Sequence, residues 1–546
     1  MFKKYLFPLL IVLISVVPLM DLLKPGLPLT HDGQDHVARI ANFYQNLLEG
    51  NIIPRWAGNL NWGYGHPILE FLYPLPSYFA SLFHFVGFTL VDSVKLVFGV
   101  SFVLSGLAMY LFVKELLNDK KAALLASLLY IIAPYRFVDL YVRGAIGEHV
   151  AFIFPPLVFY FLCKLSKGYS SRYLIGGAIS LAGLNLAHNA ISLMFLPLMF
   201  IFIFYLFFYC SNKKYFILNT LYVMLLGFGL SAFFWIPAFM EGKYTLRDVV
   251  TSGGEYLVSF VPWKDFFISE WNYGGTLTLS KQIGLAHWIG VLVSIVGTYY
   301  LYINKNKLWI ISSFTLLAFW TTLFLMTSSS NFIWQSITTL QKFQFPWRFL
   351  SLTVFLSALL ASIAFHIGPN KLKKILLLIL VVGLLIVNKD YWHVNDFLQK
   401  EGNFYTGIYE STTDTGESAP IWSVRFMEKR PKFKMEVISG NAKIKGIERK
   451  VTLHSYEVIA LEKSRILENT LYFPGWIILV DGKNTNIQFQ DPNHRGLMTF
   501  YLDKGKHKIE IVYKETRVRQ VSNIISLVSL IIMGASFLSL IKKKTV

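Results

Sequence analysis

Residues 1–40 read MFKKYLFPLLIVLISVVPLMDLLKPGLPLTHDGQDHVARI, and their first half decides the class of protein. Residues 5–23 form an apolar run long enough to cross the ~30 Å hydrocarbon core of a bilayer. Similar runs recur along the 546 residues, of which 54% are hydrophobic and only 15% are charged. A soluble globular protein carries about 25% charged residues. The sequence therefore predicts a polytopic, α-helical membrane protein.

Hydropathy and length predict about twelve membrane spans. The spans cover residues 5–23, 92–113, 122–140, 149–163, 173–187, 190–209, 215–235, 285–304, 308–326, 349–367, 373–388 and 520–541. No small-residue cleavage site follows the first span, so we expect an uncleaved anchor. Residues 68–88 are also apolar, but counting them as a span would invert every later loop. We expect them to form an interfacial or re-entrant helix.

Charge explains the orientation of these spans. The net charge is +19, and the lysines cluster in short loops, from Lys3-Lys4 to Lys542–Lys544. With the N-terminus inside, all these clusters face the cytoplasm, as the positive-inside rule requires. We therefore expect a multi-pass plasma-membrane protein with both termini cytoplasmic. Because no basic stripe is interleaved with base-stacking aromatics, nucleic acid is not an expected partner.

The region 389–519 changes character from apolar runs to short alternating segments. FKMEVI, KVTLHSYEVIAL, GWIILV, NIQFQ, LMTFYL and HKIEIVY indicate strands, and Asp-Gly at 481–482 predicts a hairpin turn. We expect an extracytoplasmic β-sandwich here. Residues 1–388 would form the transmembrane domain, with a first outer loop at 24–91. Residues 520–546 would form a C-terminal anchor and a cytoplasmic lysine tail.

The stretch LPLTHDGQDHVARI, residues 27–40, is unusually polar for a position next to a span. Asp32, Asp35, His36 and Arg39 share one helix face at spacings of i, i+3, i+4 and i+7. Helix capping by Thr30 or Asp32 and a solvated polar face would explain these residues without a function. However, two acids and two imidazoles within six residues beside a membrane favour a functional site.

Several motifs together carry a resemblance to a known family. The opening acidic stretch is followed by IPRW (53–56), GYGHP (63–67), YPLPSY (73–78), DLYVRGAIGEH (139–149), NLAHNAIS (185–192), FFWIPAFME (233–241) and QFPWRFL (344–350). This combination resembles the GT-C superfamily of membrane glycosyltransferases. It is most similar to bacterial membrane proteins described as 6-pyruvoyl-tetrahydropterin synthase related. The C-terminal YFPGWIILVDGK and KGKHKIEIVYK resemble the β-domain of related envelope-modifying proteins.

The resemblance implies an enzyme that transfers a hexosyl or pentosyl group with inversion. The donor would be a polyprenyl-phosphate-linked sugar, and the acceptor a cell-envelope glycan, lipid or protein. A hydroxyl is a poor nucleophile, so a carboxylate must accept its proton. The position that matches the family's base is Asp32, with Asp35 as the alternative. His36 would orient that acid or bind the acceptor.

The leaving lipid phosphate needs cations, and arginine binds phosphate with two parallel hydrogen bonds. Candidates are Arg39, Arg55, Arg143 and Arg348, and further substrate contacts could come from Glu148, His188 and Glu241. Purely structural roles stay open for some of these residues. Arg348 would then serve as an interfacial anchor, Arg143 and Glu148 as a structural ion pair, and His188 as an ordinary interface residue.

A divalent cation such as Mg or Mn would suit Asp32, Asp35, His36 and Glu148. Some GT-C enzymes use a metal, but those with lipid monophosphate donors often do not, and we expect none. Two other functions remain open: a transporter or flippase for lipid-linked glycans or small molecules, and a non-catalytic envelope scaffold. Charged motifs in loops rather than within spans favour chemistry at the membrane surface over transport.

Overall fold

The computed structural model describes residues 2–168, 170–251, 254–274 and 278–542. Lys543 and Lys544 of the predicted lysine tail lie outside these ranges. The helices are α1 Phe2–Val16, α2 Gly33–Leu48, α3 Ile68–Phe71, α4 Leu75–Phe85, α5 Leu90–Leu117, α6 Lys120–Ile131, α7 Pro134–Phe137, α8 Ile146–Ala151, α9 Phe154–Lys167, α10 Ser171–Ala187, α11 Asn189–Tyr209, α12 Lys213–Leu230, α13 Ala232–Met240, α14 Arg247–Thr251, α15 Leu285–Ile303, α16 Leu308–Met326, α17 Asn331–Ser336, α18 Thr338–Gln341, α19 Leu350–Ile367, α20 Lys373–Asn388, α21 Gly402–Thr406 and α22 Arg517–Lys542.

Each predicted span corresponds to helical structure, but not to a straight spanning helix in every case. Within the described ranges, eight helices are long and apolar enough to cross a membrane, or up to ten if each of two bent pairs is one span. The remaining two, α10 and α20, have only 17 and 16 residues. A helical membrane protein is confirmed, whereas the number twelve is not.

The two bent pairs depart from the straight spans predicted at 122–140 and 215–235. Helix α6 and residues 134–143 meet at 46°, and α12 and α13 meet at 69°. The first bend lies at Pro134, where Ala133 is extended with ψ 142°. Proline lacks an amide hydrogen and disfavours helical geometry in the residue before it. Hydropathy does not register this local effect.

The apolar stretch 68–88 forms two short helices instead of one long one. Helix α3 has four residues and α4 has eleven, with Pro74 at the start of α4. At 1.5 Å per residue, α4 is about 16 Å long, which is too short to cross a bilayer. The stretch therefore belongs to the long connection between α1 and α5, called here the first connection (residues 24–89).

The strands are β1 Leu27–Pro28, β2 Phe397–Leu398, β3 Met435–Ser439, β4 Ala442–Arg449, β5 Leu453–Ala460, β6 Ser464–Leu471, β7 Trp476–Val480, β8 Lys483–Thr485, β9 Leu497–Leu502 and β10 Gly505–Tyr513. Strands β4-β5-β10-β7-β8 form an antiparallel sheet, and β3-β6-β9 form a second one. Five predicted segments coincide with strands. The strand predicted for NIQFQ (486–490) is wrong, because this segment makes only an isolated bridge, from Gln488 to Thr499.

The first connection is built into this β region. Trp56 and Tyr64 belong to the same apolar core as Ile478 and Phe500, which come from the two sheets. Strand β1 pairs with β2, so residues before the β region also return to the first connection. The two parts therefore lie on the same side of the helices and pack against each other.

The predicted turn at 481–482 is present between β7 and β8. Asp481 and Gly482 have φ angles of 51° and 79°, and Val480 pairs with Lys483. Two consecutive positive φ angles characterise the tight turn that matches the twist of a hairpin, and Asp-Gly adopts them readily.

Candidate active site

The Asp32 side chain does not cap helix α2. The Gly33 amide donates to Thr30 Oγ1 at 3.1 Å, and Asp32 makes no side-chain cap. The Asp32 amide donates to the Arg143 carbonyl at 2.8 Å, which fixes the start of α2 against the segment after α7. Within the described residues, the half-buried Asp32 carboxylate has neither a hydrogen bond nor an ion pair.

Asp35 lies one turn further along α2 and is held in place. The Tyr409 hydroxyl donates to Asp35 Oδ1 at 2.9 Å. Burial raises the pKa of Asp35 above its ordinary value, and the nearby Arg39 guanidinium opposes this only in part. The two acids of the stretch therefore differ: one is partnered and the other is free.

His36 and Arg39 form the buried support of this helix end. Arg39 Nη1 lies 2.9 Å from His36 Nδ1, and Arg39 Nε donates to Thr413 Oγ1 at 3.2 Å. Burial lowers the pKa of His36 well below its usual range, and Arg39 lowers it further. His36 is therefore neutral, and its Nδ1 accepts a hydrogen bond from Arg39.

Arg143 is the centre of a buried ion network. Its Nη1 contacts Asp139 Oδ1 at 2.6 Å and Glu148 Oε2 at 2.7 Å. Tyr135 donates to the other Glu148 oxygen at 2.7 Å, and the Arg143 guanidinium stacks on Trp347 at 4.7 Å from the ring centroid. Every side-chain hydrogen bond and ion pair of Arg143 is made by Nη1. Nε and Nη2 therefore have no partner among the described side chains.

Arg348 approaches the same place from the start of α19. Its Nη1 donates to the Phe343 carbonyl at 2.9 Å, and its guanidinium lies 4.9 Å from the Phe345 ring centroid. Its Nε is buried and has no hydrogen-bond partner within the described ranges. Both of its hydrogen bonds are made by Nη1, so Nη2 has no partner among the described residues and is available to bind an anion.

Tyr73 and His188 complete the arrangement. Their rings stack with centroids 4.9 Å apart. Burial lowers the pKa of His188 to about 3, with Glu148 opposing and Arg348 adding to the shift. His188 Nδ1 accepts a hydrogen bond from the Ile191 amide at 3.3 Å, so this imidazole also begins α11.

Direct contacts bring several predicted residues to one place. The Asp32 amide is bonded to the Arg143 carbonyl, Arg143 stacks on Trp347 beside Arg348, and Tyr73 stacks on His188. The charges of Asp32, Arg39, Arg143 and Arg348 all act on the Tyr73 hydroxyl. We call the group that converges here the acid–arginine cluster; it consists of Asp32, Tyr73, Arg143, Glu148, His188 and Arg348. It combines a free carboxylate with two guanidinium groups that are only partly paired.

Arg55 and Glu241 are not brought to this cluster. Arg55 Nε binds Glu515 at 2.8 Å, and its Nη2 donates to Asn523 at 3.0 Å. Glu241 binds Arg519 at 2.6 Å, and Arg519 also contacts Glu70 at 2.8 Å. We call Glu70, Glu241 and Arg519 the junction cluster, because it joins the first connection, the segment after α13 and helix α22.

Several residues at the site escaped prediction. Tyr73 was part of the quoted motif YPLPSY, and Asp139 was part of DLYVRGAIGEH, so both signals were available. Tyr409 and Thr413 gave no local signal, because each contacts a residue 374 positions away in sequence. Within the described part of the chain, no three His, Cys, Asp or Glu residues form a group that could hold a metal ion.

Comparison with known proteins identifies relatives of this chain. A family model described as a 6-pyruvoyl-tetrahydropterin synthase related domain of membrane proteins matches residues 69–394. An uncharacterized protein of Lactococcus lactis is 26% identical over 285 residues, covering 50% of this chain and 45% of that protein. The chain thus spans about half the length of this curated relative.

Two kinds of solved structure are similar as well. Arabinofuranosyltransferase AftD from mycobacteria has 13% identity and a TM-score of 0.45, covering 71% of this chain and 27% of that one. The oligosaccharyltransferase of Archaeoglobus fulgidus, in complex with zinc and sulfate, has 14% identity and a TM-score of 0.45, covering 75% and 58%.

Proposed function

The chain belongs to the family of membrane proteins described as 6-pyruvoyl-tetrahydropterin synthase related, and we propose that it is a membrane glycosyltransferase. The proposed fold is GT-C-like, with the β region as an extracytoplasmic sandwich. The proposed donor is a sugar linked to polyprenyl phosphate, and the acceptor is a cell-envelope component outside the plasma membrane.

The observation that carries the proposal is the juxtaposition of Asp32 with Arg143 and Arg348. A glycosyl transfer from a lipid phosphate needs a base for the acceptor and cations for the leaving group. Asp32 is half-buried and has no partner among the described residues. The two guanidinium groups keep nitrogen atoms that are not bound to carboxylates.

In the proposed reaction, the acceptor hydroxyl attacks the anomeric carbon of the donor sugar. A new glycosidic bond forms while the bond between that carbon and the phosphate oxygen breaks. Asp32 takes the hydroxyl proton, and the phosphate leaves with the electron pair of the broken bond. Arg348 and Arg143 stabilise its negative charge. A single displacement of this kind inverts the anomeric centre.

The remaining residues of α2 position Asp32. Asp35 is fixed by Tyr409, and Arg39 connects His36 to Thr413. These contacts hold α2 against residues 409–413 and so fix the direction in which its first turn faces. Glu148 orients Arg143 through the 2.7 Å ion pair, and Arg143 is thereby kept in the geometry that a phosphate requires.

Transport of a lipid-linked glycan is the second candidate function, because Arg136 lies buried without an ion pair to any described residue. Arg136 is fully buried, and its Nε and Nη1 have no hydrogen-bond partner among the described residues. Its guanidinium lies 3.9 Å from the Phe152 ring centroid. Charges at such positions often mark transport pathways. Flipping of labelled polyprenyl-phosphate sugars by the protein in vesicles, undiminished by Asp32→Asn, would favour this function.

The proposed transferase is tested by mass spectrometry of polyprenyl-phosphate sugars in cells with and without the gene. Deletion should cause one such sugar to accumulate, and that sugar identifies the donor. Restoring the wild-type gene should reverse the accumulation, whereas Asp32→Asn at the same protein level should not. An unchanged lipid profile on deletion contradicts the proposal.

A further inference from the structure

A cavity lies between the first connection and the β region, away from the acid–arginine cluster. Its volume is about 270 Å³, near the lower end of the ~300–1,000 Å³ of typical ligand pockets. Gln45 and Glu49 at the end of α2 form one side. Helix α2 starts after Asp32, so at 1.5 Å per residue the cavity lies about 20 Å from that carboxylate.

The β-region wall of the cavity is organised by a buried carboxylate. Glu468 is completely buried, and its Oε1 accepts hydrogen bonds from His454 Nδ1 at 2.8 Å, Arg449 Nη1 at 3.0 Å and Thr470 Oγ1 at 3.0 Å. These three partners all line the cavity. A buried ion pair stabilises a fold little more than apolar side chains of the same shape. Stability alone therefore does not explain this arrangement.

His454 presents an acceptor at this wall. Burial lowers the pKa of His454 despite the neighbouring Glu468 carboxylate, so the imidazole is neutral. Its Nδ1 carries the hydrogen that is donated to Glu468, which leaves Nε2 as a hydrogen-bond acceptor. The wall therefore offers acceptors as well as the donors of Arg449 and Thr470.

The opposite wall comes from the first connection and supplies amide and aromatic groups. Asn59, Trp56 and Tyr64 line it, and Gln45 joins them from α2. An amide side chain both donates and accepts hydrogen bonds, and an aromatic side chain adds an apolar surface with a polar tip. Closely spaced hydroxyls above a ring of carbons, as in a sugar, match this combination.

The cations at the cavity are paired rather than free. Arg449 binds Glu468 at 3.0 Å, and Lys450 binds Glu448 at 2.7 Å. Glu49 accepts a hydrogen bond from the Val451 amide at 2.7 Å. With its cations already neutralised, the cavity favours an uncharged polar ligand over a phosphate or an acidic group.

We propose that this cavity binds an uncharged segment of the acceptor glycan, at a distance of several sugar units from the end that reacts. The identification of this glycan as the acceptor rests on the proposed glycosyltransferase function, whereas glycan binding by the cavity does not. Helix α2 connects the two places, with Asp32 before its first turn and Gln45 in its last turn. A bound chain would thereby be guided towards Asp32, and acceptors that are too short would lose this contact.

The test measures direct binding to the full-length protein in lipid nanodiscs. The probes are oligosaccharides released by mild acid from the envelope polysaccharide of the source cells, separated by length and labelled with a fluorophore. Gly58→Leu fills the cavity: a Cβ there meets only Val451, at 3.7 Å or more. Gly446→Leu on β4 is the matched control, since its Cβ meets only the Tyr456 ring at 4.0 Å.

We expect the longer fragments to bind wild-type protein, Asp32→Asn and Gly446→Leu equally, and Gly58→Leu at least about tenfold more weakly. Should Gly58→Leu fail to fold, Gln45→Ala provides the same comparison, because Gln45 is bonded only to Glu49 within the described structure. Equal binding by the cavity variant, or no binding of any fragment to wild-type protein, overturns the proposal. Fragment binding in a protein that transfers no sugar would retain the cavity site and refute the transferase.

Discussion

The acid–arginine cluster and the junction cluster contain similar residues but differ in how completely these are paired. In the junction cluster, Arg519 is fully buried and binds both Glu70 and Glu241. In the acid–arginine cluster, Asp32 has neither a cation nor a hydrogen-bond partner among the described residues. Guanidinium nitrogens do not separate the clusters, since Arg519 Nη1 and Arg348 Nε are both buried without a hydrogen bond in the described structure. The carboxylates of the junction cluster are held by Arg519 and serve the fold, whereas the unpaired Asp32 carboxylate is available for a substrate.

The largest expected difference between the clusters concerns stability. Arg519→Leu would leave the charged Glu241 buried without a cation and would remove a polar contact of Glu70, and breaking a buried ion pair in this way costs about 3–5 kcal/mol. We expect loss of folded protein in the membrane, measured by thermal denaturation in detergent. Asp32→Asn, which breaks no described contact, should unfold at the wild-type temperature. A stable Arg519→Leu would show that the junction cluster does not hold the fold.

The next effect concerns donor binding by Arg348. Arg348→Lys keeps the charge but removes the planar fork, and charged hydrogen bonds are worth about 1.5–3 kcal/mol each. Affinity for the polyprenyl-phosphate sugar should fall by about 10-fold or more in a titration with purified protein.

Arg425→Lys serves as the matched control for this measurement. Arg425 also stacks on a phenylalanine, Phe426, at 5.2 Å, and its Nε donates to a backbone carbonyl, but it lies outside the acid–arginine cluster. Unchanged donor affinity in Arg348→Lys would return Arg348 to the role of an interfacial anchor.

A smaller effect is the pH dependence of stability that we expect from Glu70 in the junction cluster. Burial raises the pKa of Glu70 to about 8, with Arg519 opposing. Such a carboxyl group binds its proton more tightly in the folded than in the unfolded protein. Its stabilising contribution is therefore complete at pH values below its ordinary pKa, near 4.5, and is lost as the pH rises towards 8. The melting temperature should therefore fall by several degrees between pH 5 and pH 8.

Glu70→Gln should remove most of this pH dependence, because glutamine does not titrate. Burial opposes ionisation of Glu241, but hydrogen bonds and Arg519 lower its pKa, so it remains charged throughout this pH window. The same pH profile in wild type and Glu70→Gln would assign the titration to another group.

The sequence identified much of this architecture because its signals are local. Hydropathy located the helices, and the stretch around Asp32 led to the acid–arginine cluster together with Arg143, Glu148 and Arg348. Arg55 and Glu241 were grouped with them from residue type and loop position. Their partners Glu515 and Arg519 are 460 and 278 residues away in sequence, so only the folded chain separates the two clusters.

Strands were missed for a related reason. The edge strand β4, AKIKGIER, is mostly exposed. Only Ala442 and Ile444 of this strand pack against the core, so its apolar alternation is too short to indicate a strand. Strand β6 is almost entirely buried, although it contains Arg465, Glu468 and Asn469. Its polar side chains are paired within the β region, and alternation of apolar residues does not reveal such pairing.

Transfer by Asp32→Asn, compared with Asp35→Asn, tests the central claim most directly. The measurement is the rate of sugar transfer from the purified lipid donor to an envelope acceptor, with donor binding determined in parallel. We expect Asp32→Asn to bind donor normally and to lose roughly 10²-fold or more in transfer, the usual effect of removing a positioned base. Asp35→Asn should lose less than about tenfold, since asparagine can still accept the Tyr409 hydrogen bond. The reverse order would identify Asp35 as the base, and near-wild-type transfer by both variants and by the double variant would contradict the account.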